Sequence, residues 1–403
     1  MKLADIIETF ISGDWGEETV ADDTPNSVFC IRGADIVPIT NHCFNGIPQR
    51  FVCDKTIENK TLKAGDLIIE KSGGSPTQST GRIVYVSEDL IKAKGNVVCS
   101  NFCTAFRVKA GWNPLYVYYF WQNVYNHGAF FNFEGKTSGI KNLQLDNALS
   151  AIDIEYLPLE KQNQIVASLA SIDEKIKVNR LINDNLEAMA KQLYDYWFVQ
   201  FDFPNEEGKP YKSSGGAMVW NEKLKREIPQ GWIASNYTDL FTIGNGQTMP
   251  QNEGFIPAYG GNGIVKMVEI SNYPACIIIG RVGANCGSIH YSKVPCWVSD
   301  NAISVCSKND DWQPFLFYSF RLYNLSKNKG GSSQPLITHE ALKHLYFPMS
   351  EKHINQFCHI VNELQDLIYS NQQEILKLTK LRDELLPLLM NGQASVNYHL
   401  SAC

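Results

Sequence analysis

The sequence predicts an α+β protein. Two irregular α/β domains are each followed by a long helix, and the two helices pack as an antiparallel coiled coil, giving an internal pseudo-twofold repeat. Three observations predict it. First, one junction occurs twice, as IEYLPLEKQNQIV at 154–166 and HLYFPMSEKHINQF at 344–357. Each copy runs aromatic, one residue, proline, a short charged stretch and then an apolar pattern of helical period. Tyr156 to Tyr346 and Pro158 to Pro348 both span 190 residues. A repeat that long is too large for a solenoid and fits two domain-plus-helix units in tandem.

The second observation is the seam after each junction. Steps of four and three give Ile165, Leu169, Ile172, Ile176, Asn179, Asn183, Leu186, Ala190, Leu193 and Trp197. Adding 192 to each gives Phe357, Val361, Leu364, Ile368, Asn371, Ile375, Leu378, Arg382, Leu385 and Leu389. This is a narrow a/d stripe of about six heptads, the kind that prefers a partner helix to a globular surface. Asn179 and Asn371 fall at equivalent places, and polar residues in such a seam fix register at some cost in stability. The third observation is composition: residues 1–157 and 232–347 are short β-like runs broken by Gly, Pro, Asn and Ser.

In order along the chain, residues 1–157 form the first domain. It opens with an acidic arm and a helical-looking LADIIETF, then has strand-like DLIIE, RIVYV and VVCSNFCTAFRV. Residues 158–201 are the central helix, and 202–231, rich in Pro, Gly and Ser, read as a linker. Residues 232–347 are the second domain, with ACIIIGRV, SIHYS and NAISVC. There DLIIEKSGG with GRIVYV finds a loose echo in CIIIGRVGA with GSIHYS. Residues 348–392 are the distal helix, ending near Gly392, and 393–403 are a tail.

Composition narrows the function. The chain has 403 residues, 44% of them apolar and 11% aromatic, which excludes a disordered protein. No run approaches the ~20 apolar residues of a membrane helix; CIIIG and YVYYFW are strand or core lengths. The N-terminus lacks a signal pattern, so a cytoplasmic protein is expected. Eleven cysteines without a Cys-x-x-Cys pair fit buried, reduced thiols rather than a metal site. The net charge of −6 is unevenly spread. Residues 1–25 alone carry −6, residues 26–157 carry +2 and residues 232–347 carry +1. The two globular stretches are thus mildly basic, which permits DNA binding without demanding it.

No catalytic signature is complete. EGKTSG at 134–139 lacks the upstream glycine of a phosphate-binding loop, where Phe130 stands. DFPNEEGK at 202–209 has nuclease-like carboxylates but sits in the Pro/Gly segment. What remains are five loops rich in glycine, amides, hydroxyls and bases: KSGGSPTQSTGR (71–82), EGKTSGIKN (134–142), YGGNGIVK (259–266), GRVGANCGS (280–288) and SKNKGGSSQP (326–335). Glycines let backbone N–H groups approach phosphates, Lys and Arg neutralise them, and Asn, Gln and Arg can hydrogen-bond base edges. Each loop alone also fits an ordinary solvated turn.

The ordered set of motifs resembles the specificity subunit of type I restriction–modification enzymes, and the resemblance covers essentially the whole chain. It rests on the two junctions, the run SIDEKIKVNRLINDNLEAMAKQLYDYWFVQF, KREIPQGW, YGGNGIV, IIIGRVGANCGSI, GGSSQPLIT and the terminal LRDELLPLLMNG. The first domain, with RGADI at 32–36, fits less tightly and has nothing like YGGNG.

The resemblance implies two target-recognition domains, each reading one half of a bipartite, asymmetric double-stranded DNA site. The coiled coil would set the spacing and dock two DNA methyltransferase (modification) subunits, with two motor-nuclease (restriction) subunits as a further possible pair. It implies no catalytic residue and no cofactor in this chain. S-adenosylmethionine, ATP and Mg would belong to the partners, which would methylate adenine N6 and cleave DNA with ATP. The residues expected to touch DNA are Lys71, Ser75, Gln78, Arg82, Lys136, Ser138 and Lys141 in the first domain. In the second they are Tyr259, Asn262, Lys266, Arg281, Asn285, Lys327, Lys329, Ser333 and Gln334. The competing readings are a protein-binding scaffold built on the coiled coil and a nuclease using the 202–209 carboxylates.

Overall fold

The computed structural model describes residues 1–73, 78–137, 140–283, 285–323, 325 and 336–394. They form two compact units, Met1–Val178 with the chain from Glu374, and Asn179–Gln373. Each long helix therefore gives one half to each unit. The first spans Leu159–Tyr194 and continues as a π turn over Asp195–Val199; the second spans Glu351–Met390. The sequence partition had assigned the helices to segments of their own.

In unit 1 a four-stranded antiparallel sheet runs in the order Ile7–Ser12, Cys103–Val108, Leu67–Glu70, Ile83–Tyr85. The strand LIIE is buried along its length because its alternate residues serve two cores. Leu67 and Ile69 join Phe106, Trp121 and Leu169, while Ile68 joins Ile31, Val84 and Leu90. A continuous apolar run is what a strand covered on both faces requires. One cover is the helix Pro114–Asn126. Asn113 caps it by accepting from the Leu115 and Tyr116 N–H groups, and Pro114 occupies the first turn, where no N–H is needed. YVYYFW is therefore helical, whereas CIIIG is a strand.

LADIIETF departs from expectation. Only Leu3–Ile6 turns, as a 3₁₀ segment, and Ile7–Ser12 is an edge strand paired with Cys103–Val108. Its β-branched and aromatic residues favour the strand, and the partner lies about a hundred residues away, beyond any local pattern.

Unit 2 repeats the plan. Its four strands run in the order Phe241–Asn245, Ala302–Ser307, Cys276–Gly280, Ile289–Ser292, followed in sequence by the helix Gln313–Leu322. Each unit also has a three-stranded sheet containing one parallel pair: Asn26–Ile31 with Val97–Cys99 in unit 1, and Glu253–Gly260 with Trp297–Val298 in unit 2. The echo between DLIIE/GRIVYV and CIIIG/GSIHYS is thus one of topology, a central strand and its outer neighbour at the same place in both sheets.

Residues 202–231 are not a bare linker. They carry the hairpin Met218–Asn221/Arg226–Pro229, and Phe203 and Ile228 are buried with Trp197, Phe198, Trp232 and Phe357. Asp202 holds the segment by accepting from Ser213 N and Oγ at 2.7 and 2.6 Å, which lowers its pKa. The polar and glycine-rich composition is real, but the aromatics within it anchor the chain.

The helices run antiparallel in both units. In unit 1 Leu169 packs with Leu386 and Leu389, and Arg382 Nη1 meets Asp173 at 3.1 Å. In unit 2 Asn371 Nδ2 donates to Asn183 Oδ1 at 2.9 Å, and the rings of Tyr194 and Phe357 lie 5.7 Å apart edge to face. Not one of the twenty seam residues is exposed. At the asparagine positions of the seam Asn371 meets Asn183, as antiparallel helices oppose positions whose numbers run in opposite senses.

Candidate nucleic-acid interface

In unit 1 two of the expected loops become one ribbon. Ser72–Gly73 pairs with Ile140–Leu143, which pairs in turn with Glu134–Thr137, in the register Lys141↔Gly73 and Asn142↔Ser72. EGKT is thus strand, not a phosphate loop at a helix start. Lys141 Nζ lies 3.3 Å from the Glu134 carboxylate and donates to Gln78 O at 3.2 Å, so it ties the two loops together. Gln78 is exposed. Lys71 anchors the ribbon through its backbone, receiving Leu143 N–H at 2.7 Å, and it lines a cleft with Phe10, Ser12 and Asp146.

Arg82 does not serve as a reader. Its guanidinium is turned inward to the buried Glu70 at 2.6 and 2.8 Å and to Gly33 O at 3.0 Å, and that pairing raises its pKa. A charge already neutralised inside the fold has none left for a phosphate. Ser75 and Ser138 lie outside the described residues, as does the Lys136 side chain.

In unit 2 the signature YGGNG forms the tip of the hairpin Glu253–Gly260/Gly263–Val268, with Gly263 at φ +100° and Asn262 exposed. Lys266 lies on the same hairpin, with Nζ 3.4 Å from Gln251 O. The tip docks on the loop after the strand Cys276–Gly280, where the Ser288 hydroxyl donates to Gly261 O. Gly280 makes this approach possible. A Cβ there would stand 2.5 Å from Ser288 Oγ and 2.6 Å from both Asn285 O and Gly261 O. The fold therefore gathers Asn262, Arg281 and exposed Asn285 on one loop cluster.

Tyr259 is a correction. Its side chain is buried against Cys276, Ile278, Cys296 and Val298, and burial raises its pKa. It supports the hairpin and cannot reach a ligand. Lys327, Lys329, Ser333 and Gln334 lie outside the described residues. Sequence reasoning missed the apolar side of this hairpin: Phe255 is 96% exposed, and Ile264 and Val265 are exposed beside the tip. Their composition reads as core, and nothing local marks them as surface.

Among the described residues no group of His, Cys, Asp or Glu is placed to hold a metal ion, and no helix is long and apolar enough to cross a membrane. The ten described cysteines are free. The 202–209 carboxylates are dispersed, with Asp202 committed to Ser213 and Glu207 paired with Lys209.

Comparison with known proteins bears on this arrangement. The sequence model of the type I restriction modification DNA specificity domain matches twice, at residues 53–188 and 229–382. The MjaIX type I restriction enzyme specificity subunit of Methanocaldococcus jannaschii is 26% identical over 279 residues, covering 62% of either chain. The aligned stretch thus spans about three fifths of that relative's length. The HindI specificity subunit of Haemophilus influenzae is 24% identical over 327 residues, covering 61% of this chain and 70% of its own. Among solved structures, the S subunit of a type I restriction–modification system from M. genitalium aligns over 96% of this chain and 95% of its own. Its TM-score is 0.55 at 15% identity, a likeness of fold.

Proposed function

Since the chain belongs to the type I restriction–modification DNA specificity family, we propose that it is the DNA-reading subunit of such a complex. On this reading each unit recognises one half of a bipartite, asymmetric site. The observation that carries it is the duplicated plan: one sheet topology occurs twice, and each copy ends in a loop cluster of different residues. Lys71 and Gln78 serve one half-site, with Lys141 holding their loops together through Glu134, and Asn262, Lys266, Arg281 and Asn285 serve the other. Side-chain amides and guanidinium groups read base edges, each good bidentate contact contributing ~1–3 kcal/mol of discrimination. The paired helices hold the two readers at a set spacing and dock two modification subunits.

Those subunits would bring S-adenosylmethionine and methylate adenine N6; motor-nuclease subunits would bring ATP and Mg and cleave unmodified DNA. Adenine must leave the stack to be methylated, so the reader holds DNA while a partner distorts it. With a net charge of −6 the subunit has little electrostatic pull on DNA of its own. The test is reconstitution: labelled methyl transfer from S-adenosylmethionine to plasmid DNA by the neighbouring modification subunit, with and without this chain. Transfer that needs both proteins supports the reading. Equal transfer without this chain would return the scaffold reading to the front.

A further inference from the structure

Unit 1 contains a cleft of about 620 Å³ that no part of the reading above uses. Trp15 and Phe102 give it aromatic surface, and Arg32, Ser72, Ser100 and Asn101 give it polar groups. Its construction explains why it stays open. Gly33 and Gly73 line it and have no side chains to fill it, because the Glu70 carboxylate presses directly behind them. A Cβ on Gly33 would stand 2.5 Å from Glu70 Oε1, and one on Gly73 2.8 Å from the same atom. Arg82 locks that carboxylate from the other side.

The backbone that carries Phe102 and the Trp15 ring are held in place. Phe102 sits in the turn between the strands Val97–Cys99 and Cys103–Val108, closed by Cys103 N–H to Ser100 O at 2.9 Å. The Phe102 carbonyl accepts from Lys71 N and Ser72 N, yet its ring is 58% exposed. Trp15 is backed by the Arg50 guanidinium, 4.0 Å from its ring centre, and Arg50 is itself paired with Glu18. Arg32 is fixed by Asp35 through two bonds, at 2.9 and 2.8 Å. The Ser100 hydroxyl is buried, with no partner among the described residues beyond the weak Cys103 thiol. Oriented aromatic faces with a few fixed donors and acceptors, in a concave site of this size, suit a flat heterocycle with a polar edge.

We propose that this cleft binds a nucleobase. Ser72 and Gly73 belong both to its lining and to the ribbon assigned above to DNA reading, so a base extruded from bound DNA can reach it; a free purine nucleotide is the other source of the same chemistry. Only the DNA arm of the test rests on the proposed function.

The full chain, with its modification subunits for the DNA arm, is titrated with two fluorescent probes: 2-aminopurine riboside, and a duplex carrying 2-aminopurine in a single-nucleotide bulge beside the half-site of unit 1. Stacking quenches the probe. Phe102→Ala, on an exposed side chain, and Asn101→Ala are compared with wild type, and circular dichroism verifies that each variant is folded. Saturable quenching weakened about tenfold by Phe102→Ala is expected. Quenching of the free riboside points to a nucleotide ligand, and quenching of the bulged duplex alone to an extruded base. No quenching of either probe, or quenching that both variants leave unchanged, overturns the site. A wild-type complex that methylates site-specifically yet quenches neither probe would refute the cleft and leave the reading function standing.

Discussion

Replacing Asp173 by Ala breaks a clamp that ties three helices together in unit 1. Tyr119, on the helix Pro114–Asn126, donates its phenol to Asp173 Oδ2 at 2.5 Å, and Arg382, on the second long helix, meets Asp173 Oδ1 at 3.1 Å. Tyr119 is 2% exposed, and burial followed by the Asp173 charge pushes its pKa up, so it remains a donor throughout the working pH range. Removing the carboxylate leaves that phenol buried without an acceptor, a cost of ~1–3 kcal/mol. Arg382 keeps Asp383 at 2.8 Å and is partly hydrated, so its loss adds little. Tyr119→Phe removes only the hydrogen bond, to a charged acceptor, and costs ~1.5–3 kcal/mol. The two changes remove one interaction, so the double variant is expected to lose clearly less than the sum, with a coupling of ~1 kcal/mol or more. Urea unfolding followed by far-ultraviolet circular dichroism measures each value. Additive losses, or an Asp173→Ala variant within about 0.3 kcal/mol of wild type, would refute the clamp.

Three other expectations follow from the same geometry. In unit 2 the counterpart joins Glu187 to Tyr318 at 3.3 Å and to Arg321 at 3.1 Å, with part of the pair in solvent; Glu187→Ala is expected to cost less than Asp173→Ala in the same assay. His353, packed against Phe203 with ring centres 4.0 Å apart and stacked on Trp232, has its pKa lowered from 6.5 to about 4, by burial first and Lys352 second. The unfolded state then binds the extra proton between those values, so unit 2 loses stability as pH falls from 6.5 toward 4. Because the ring is only half-buried we expect a loss of about 1 kcal/mol, abolished by His353→Phe; a pH profile unchanged by that substitution would contradict the assignment. Gly280→Ala forces the Gly261 and Ser288 contacts apart and is expected to weaken recognition of one half-site only; loss of both in a methylation map would mean general unfolding instead.

The seam was legible because a coiled-coil stripe is a local pattern, and its one-residue-in-three-or-four spacing survives in both helices. LIIE and CIIIG read as strands for the same reason, and the structure adds that both faces of each are buried. What local pattern cannot carry is the partner. Arg82 looks like a solvated loop base until Glu70, twelve residues back, claims it. Tyr259 looks like part of a signature until the fold places it under Cys276 and Val298. Ile7–Ser12 becomes a strand only because Cys103–Val108 pairs with it, and the Pro/Gly-rich 202–231 is folded by Phe203 and Ile228 rather than by its average composition. The Trp15–Phe102 cleft draws on residues from four separate stretches, so no single motif could have signalled it.

The most direct test of the central claim is single-molecule methylation mapping of DNA from cells expressing this chain with its modification subunit, before and after residues 232–347 are exchanged for those of a relative. The account predicts a split adenine-methylated motif whose one half changes and whose other half and spacing stay fixed. A motif unaltered by the exchange, or methylation at the same sites without this chain, would contradict it.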